Sequence, residues 1–167
     1  MKSDRKASKP LDCAGKTFAI VSARFYADIA DWLEAGARRA LKDCSVHDED
    51  IALYHVPGCF ELPLAASRLL ASDPDLDAVV ALGAVVRGET PHFNYVAGEC
   101  ARGIMNVQLS TRAPIGFGVL TTETLEQARH RADPERGNKG YEAALAAAAL
   151  LHVPREPEAR PVGFRRT

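Results

Sequence analysis

Residues 77–93 read DAVVALGAVVRGETPHF. From Ala78 to Val86 the run is apolar and does not alternate with polar residues. Such a run is the pattern of a strand buried on both faces, as in a parallel sheet covered by helices. It then stops at a charge, a glycine, a threonine–proline pair and a histidine. Gly88 permits a tight exit from the strand, Thr90 suits a helix N-cap, and Pro91 suits the first helical position. The free N–H groups of that helix start would form an anion site at the strand's carboxyl end. His92 falls in the same first turn. Histidine changes charge near neutral pH, so beside an anion site it is a candidate general acid.

On both sides of this stretch, strand and helix patterns alternate. Residues 17–23 (TFAIVSA) and 51–56 (IALYHV) read as strands, and 114–121 (PIGFGVLT) as a fourth. Residues 28–41 place Ile29, Leu33, Gly36, Ala37, Ala40 and Leu41 on one helical face. Residues 61–72 read as a helix with Pro63 in the first turn. Residues 91–109 carry the stripe Phe93, Val96, Ala97, Cys100, Ile104 and Val107. Helices are also expected at 123–132 and 140–151, and the alanine run 146–149 suits close helix packing. The expected fold class is α/β: a four-stranded parallel sheet between two helical layers, with ligands at the carboxyl ends of the strands.

The chain has 167 residues, which fits one domain. A net charge of −1 argues against nucleic acid or an anionic membrane surface as partner. No run of 18 apolar residues would span a membrane. The N-terminus lacks the apolar core of a secretory signal. Residues 1–15 read as a flexible arm, 16–153 as the domain, and 154–167, with three prolines and six charges, as a disordered tail. Cysteines at 13, 44, 59 and 100 show no metal-ligand spacing and read as buried thiols in a reducing cytoplasm.

The loops after the strands share one predicted edge. They are ARFYAD (23–28), VPGCFELP (56–63), VRGETPHF (86–93) and TTET (121–124). Taken singly, each aromatic, turn or carboxylate has a structural reading. Together on one edge they read as a site. The basic connection RHRADPERGNKG (129–140) adds Arg131 and Lys139 as candidate binders of phosphate or acidic groups, while Arg129 and Arg136 read as solvated helix ends. Two fragments are rejected. CAGKT (13–17) lacks the leading glycine of a phosphate loop, since position 10 is Pro10, and it precedes a strand. GFG (116–118) lies inside a strand.

In this order, ARFYADI, VPGCFELPLA, ALGAVVRGETPHFNYV, FGVLTTETLEQARHRA and GNKGYEAA resemble the 6,7-dimethyl-8-ribityllumazine synthase family over about residues 17–152. The resemblance implies a flavodoxin-like α/β/α sandwich. It also implies condensation of 5-amino-6-(D-ribitylamino)uracil with 3,4-dihydroxy-2-butanone 4-phosphate, without metal or redox cofactor. Residue by residue, it implies that Phe25 stacks on the pyrimidine and that Cys59, Phe60 and Glu61 hold the ribityl chain and ring. Ala84, Val85 and Val86 would bond the pyrimidine through their backbone, and Glu89 and Thr90 would bond the phosphate through theirs. His92 would donate protons, Phe117 would come from a neighbouring subunit, Arg131 would bind phosphate, and Lys139 would lie near the pocket.

Three positions depart from the family's habit. Tyr26 stands where asparagine is common, Cys59 where alanine or serine is common, and Glu89 where a small residue is common. The resemblance further implies pentamers with sites between subunits. The short connection ending GNKG (137–140) points to a shell of twelve pentamers, 60 subunits in all. Weighed against this are a lumazine- or flavin-binding protein without turnover, a purely structural shell protein, and a flavodoxin-type electron carrier. His92 with Arg131 argues against the first, intact Phe25, Glu61 and Lys139 against the second, and the poor phosphate loop ARFYAD against the third.

Overall fold

A computed structural model describes residues 9–154. The remainder of the expected arm and all but the first residue of the expected tail lie outside the described residues. The run 78–86 forms β3 (Ala78–Val86), buried along its length apart from the half-buried Val86. Its side chains divide between two cores. Ala78, Val80, Leu82 and Ala84 enter one, and Val79, Ala81 and Val85 enter the other. Burying each valine or leucine contributes about 1.5–3 kcal/mol, so this strand helps to hold both helical layers.

The other strands are β1 (Phe18–Ala23), β2 (Ile51–Val56) and β4 (Ile115–Thr122). All pair in parallel in the order β2-β1-β3-β4. The first core is closed by α1 (Ala27–Asp43), α4 (Leu125–Ala132) and α5 (Lys139–Leu151). The second is closed by α2 (Leu62–Ser72) and α3 (His92–Thr111). This is the expected three-layer α/β/α arrangement with a four-stranded parallel sheet. Every residue of the predicted α1 face is buried, and the predicted α3 stripe packs into the second core. No helix among the described residues is long and apolar enough to cross a membrane.

Helices α1 and α5 touch through small residues. A Cβ on Gly140 would collide with the Leu33 carbonyl, and one on Gly36 with the Asn138 side chain. On the sheet side, a Cβ on Gly116 would collide with the Ala143 carbonyl. The alanine-rich α5 therefore lies close to both α1 and β4. The close approach at Gly36 and Gly140 also sets the path of the connection before α5, where Asn138 adopts a left-handed conformation (φ 43°).

Two sequence expectations are revised. Helix α3 begins at His92, with Pro91 in the N-cap position and no side-chain cap bond, so Thr90 is not the cap. The Pro91 carbonyl accepts from the Asn94 N–H at 2.9 Å, and its ψ of −5° falls short of helical geometry, which delays the helix. Within the stretch read as a flexible arm, Cys13 is buried, and its N–H donates to the Cys44 carbonyl at 2.7 Å.

Gly140→Ala is expected to destabilise the fold by about 1–3 kcal/mol, the usual cost of overpacking. Thermal denaturation should show a Tm lower by several degrees. An unchanged Tm would contradict the close α1–α5 contact.

Candidate functional site

The strand order reverses between β1 and β3, since β1 is followed outward by β2 and β3 by β4. In a parallel sheet the crevice at such a reversal, outside the carboxyl ends, is where ligands bind. The register makes this crevice chemically specific. Pairing of β1 with β3 ends at Ser22 and Leu82. Pairing of β3 with β4 continues to Val86 and Thr122. From Gly83 onward the β1-facing backbone edge of β3 therefore has no strand partner. Backbone polar groups seek partners, so this edge offers hydrogen bonds to whatever lies in the crevice.

A cavity of about 330 Å³ occupies that position. Phe25 and Tyr26 line it from the loop after β1, and Gly58, Cys59, Phe60 and Glu61 from the connection after β2. Ala84, Val85, Val86, Gly88, Thr90, His92, Phe93 and Val96 line it from β3 and the turn into α3. The resemblance had assigned Phe25, Cys59, Phe60, Glu61, Ala84, Val85, Val86, Thr90 and His92, and all of these meet here. Glu89 does not line the cavity. Tyr26, Gly58, Gly88, Phe93 and Val96 also line it and had not been assigned to it; Phe93 and Val96 lie on the predicted apolar stripe of α3 and serve both the core and the cavity.

Local bonds shape this cavity. The Glu61 carboxylate accepts from the Gly58 N–H at 2.9 Å, closing the turn that follows β2. Cys59 lies under that turn, and its thiol donates to the Ala84 carbonyl at 3.6 Å. Gly83 is required opposite it, because a Cβ there would come within 2.6 Å of the Cys59 sulfur and 2.9 Å of the Ala23 Cβ. Burial pushes the Cys59 thiol up to about 12, so it stays protonated and is a poor nucleophile. Arg24, quoted with the aromatics of its loop, turns to Asp31 and to Glu34 (3.2 Å) on α1. Phe25 meets Tyr26 edge to face at 5.0 Å between ring centroids. Phe25 is 74% exposed and Phe60 59% exposed. Two rings that open at one rim offer faces for a flat ligand.

Phe117, Arg131 and Lys139 do not line this cavity. They border a second depression of about 230 Å³ against the outer edge strand β4 and helix α5. Phe117 is 43% exposed there. Lys139 pairs with Glu142 at 2.6 Å. Arg129 and Arg136, read as solvated helix ends, are partly exposed and pair with Asp28 at 2.9 Å and with Asp133 at 3.4 Å. Arg131 is exposed and has no ion-pair partner among the described residues. The backbone fixes its place: Gly137 packs directly on the Arg131 backbone, and the Gly137 N–H donates to the His130 carbonyl at 3.0 Å.

A larger cleft, about 750 Å³, lies at the opposite, amino-terminal end of β3 and β4. Apart from Arg112, its polar side chains are already engaged. Asp77 binds Lys16 and the Thr17 N–H, Gln108 accepts from the Ile115 N–H, and Asp73 accepts from the Asp75 N–H. It lies away from the carboxyl ends of the strands and gathers no comparable set of groups, so the smaller cavity is the better candidate.

Comparison with known proteins agrees with the geometry. The family model described as 6,7-dimethyl-8-ribityllumazine synthase matches residues 15–155. A 6,7-dimethyl-8-ribityllumazine synthase of Aquifex aeolicus (strain VF5) is 46% identical over 143 residues, covering 86% of this chain and 92% of that protein. The matched region contains both depressions and every element that forms them, and the chain belongs to the 6,7-dimethyl-8-ribityllumazine synthase family.

Proposed function

We propose that the cavity at the carboxyl edge of the sheet is the pyrimidine-binding half of an active site that joins two substrates. As a member of its family the chain is a transferase of riboflavin biosynthesis. It condenses 5-amino-6-(D-ribitylamino)uracil with 3,4-dihydroxy-2-butanone 4-phosphate, giving 6,7-dimethyl-8-ribityllumazine, phosphate and water. One observation carries the residue-level reading. The unpaired edge of β3 faces the same cavity that Phe25, Glu61 and His92 line.

The roles follow from position. Phe25 stacks on the pyrimidine, whose polar edge bonds the backbone of Ala84, Val85 and Val86. Phe60, Glu61 and the backbone of Cys59 hold the ribityl chain. The Glu89 and Thr90 N–H groups, at the positive end of α3, receive the phosphate. A carboxylate beside that phosphate would oppose binding; Thr90 borders the cavity and Glu89 does not, so Glu89 is assigned only through its backbone N–H, by its place in the turn.

The chemistry consists of proton transfers around a carbon–nitrogen bond. The ring amine adds to the ketone, and the carbinolamine loses water to an imine. Phosphate leaves, the second nitrogen closes the ring, and a second water departs. His92 supplies and removes protons, while much of the acceleration comes from holding the two substrates together. No covalent nucleophile is needed, in keeping with the protonated Cys59 thiol.

The second depression supports a site completed by another copy of the chain. Phe117, Arg131 and Lys139 sit on the outer β4 edge, away from the cavity they would serve. A neighbour presenting this edge would cover the exposed Phe25 and Phe60 and bring Arg131 to the phosphate. Five copies in a ring give each site one such neighbour. The short connection at 132–140, in which no insertion is apparent, favours packing of pentamers into a shell. Four buried, unpaired thiols favour the reducing cytoplasm as the compartment.

Steady-state kinetics test the residue roles. His92→Ala is expected to lower kcat by at most about 10²–10⁴-fold, the usual span of general acid–base catalysis. Arg131→Ala should instead raise KM for the butanone phosphate, and an unchanged KM would remove Arg131 from the phosphate site. Light scattering tests assembly, with a 60-subunit particle expected. A particle of one pentamer's mass would refute the shell, and a monomer would refute the shared site.

A further inference from the structure

We infer that Arg87, which no motif assigns to the site, is a positioning residue that clamps the turn between β3 and α3. The inference rests on reading that turn as the phosphate subsite. Arg87 is the first residue after β3, and its N–H donates to the Thr122 carbonyl at 2.9 Å, adding one bond to the β3–β4 ladder. Its guanidinium then reaches three groups. Nε donates to Glu123 at 2.7 Å, one terminal nitrogen donates to Asn94 at 3.3 Å, and the carbon lies 4.2 Å above the Phe93 ring. One planar cation thus joins the end of β3, the connection between β4 and α4, and the first turn of α3.

The segment between these anchors is Gly88–His92, the stretch that offers backbone to the phosphate and carries the proton donor. It has little else to hold it. Helix α3 has no side-chain cap, and Gly88 has open space where a Cβ would be. The clamp therefore sets where the Glu89 and Thr90 N–H groups and the His92 ring stand relative to the pyrimidine. Arg87 does not line the cavity, and Glu123 offsets its charge, so it acts through the turn and not as a phosphate ligand. Its side chain is 39% exposed and that of Glu123 62% exposed, and an ion pair so exposed contributes little to stability. What it supplies is geometry. A lysine can match the charge but not the planar fork and the stacking together.

The test uses the assembled full-length enzyme with each substrate varied in turn, comparing Arg87→Ala, Arg87→Lys, Glu123→Gln and Arg131→Ala. Releasing the turn should raise KM for the butanone phosphate and lower kcat, together an effect of about ten- to a hundredfold for a displacement near 1 Å. KM for the pyrimidine, which is held by β3, Phe25 and Glu61, should not change. Arg87→Lys and Glu123→Gln should fall between wild type and Arg87→Ala, and they keep the test alive if Arg87→Ala does not fold. A merely structural role would lower the active fraction and leave both KM values as they were. That result, or an equal rise in both, overturns the clamp. If Arg131→Ala raises the phosphate-substrate KM and Arg87→Ala does not, the clamp fails and the phosphate subsite stands. If neither does, the subsite reading fails as well.

Discussion

Strand β3 continues to Val86, while β1 pairs with it only as far as Leu82. Most of the site follows from this mismatch. Helices cover β3 on both faces, so its side chains are committed to the two cores and only its backbone remains for recognition. Where β1 ends, that backbone edge is left without a strand partner, with the Cys59 thiol on the Ala84 carbonyl, at the point where the strand order reverses. A heterocycle with donors and acceptors along one edge can replace the missing strand. The same geometry demands Gly83, because the Cys59 sulfur and Ala23 crowd the place where the two strands part.

The other edge of the sheet carries the complement. Strand β4 is an edge strand, and the exposed Phe117 on it borders the same depression as Arg131 and Lys139. Aromatic surface left open on both depressions is costly in an isolated protomer and useful at an interface, and the exposed Arg131 beside one of them is available to an anion. The close α1–α5 contact serves this edge indirectly. Glycine at 36 and 140 lets the 133–138 connection fold back on α4, which places Arg131 and Lys139 together.

The fold was legible because its signals are local. The apolar run at 78–86 and the 3.6-residue stripes of α1 and α3 depend on burial that the sequence itself records. The loops after the strands could be grouped on one edge because parallel crossovers leave no alternative. The start of α3 was misplaced by one residue because Pro91 is compatible with either side of the helix boundary, and a turn bond to Asn94 decides between them. Arg87 was not legible as a site residue. It joins Phe93 and Asn94 on the next helix to Glu123, which is far away in sequence, and a charge after a buried strand ordinarily means only a return to solvent. That the assigned residues fall on two separate depressions was likewise invisible to spacing, which carries no record of which sheet edge a residue will reach.

We propose that His92 and Arg131 serve one reaction from two different copies of the chain. This is tested most directly by co-assembling His92→Ala protomers with Arg131→Ala protomers from denatured mixtures and measuring lumazine formation. If the site is shared, some interfaces pair an intact His92 with an intact Arg131, and the mixed assembly should exceed the mean activity of the two variants assembled alone. If each protomer holds a complete site, every site carries one defect, and the mixture will show only that mean.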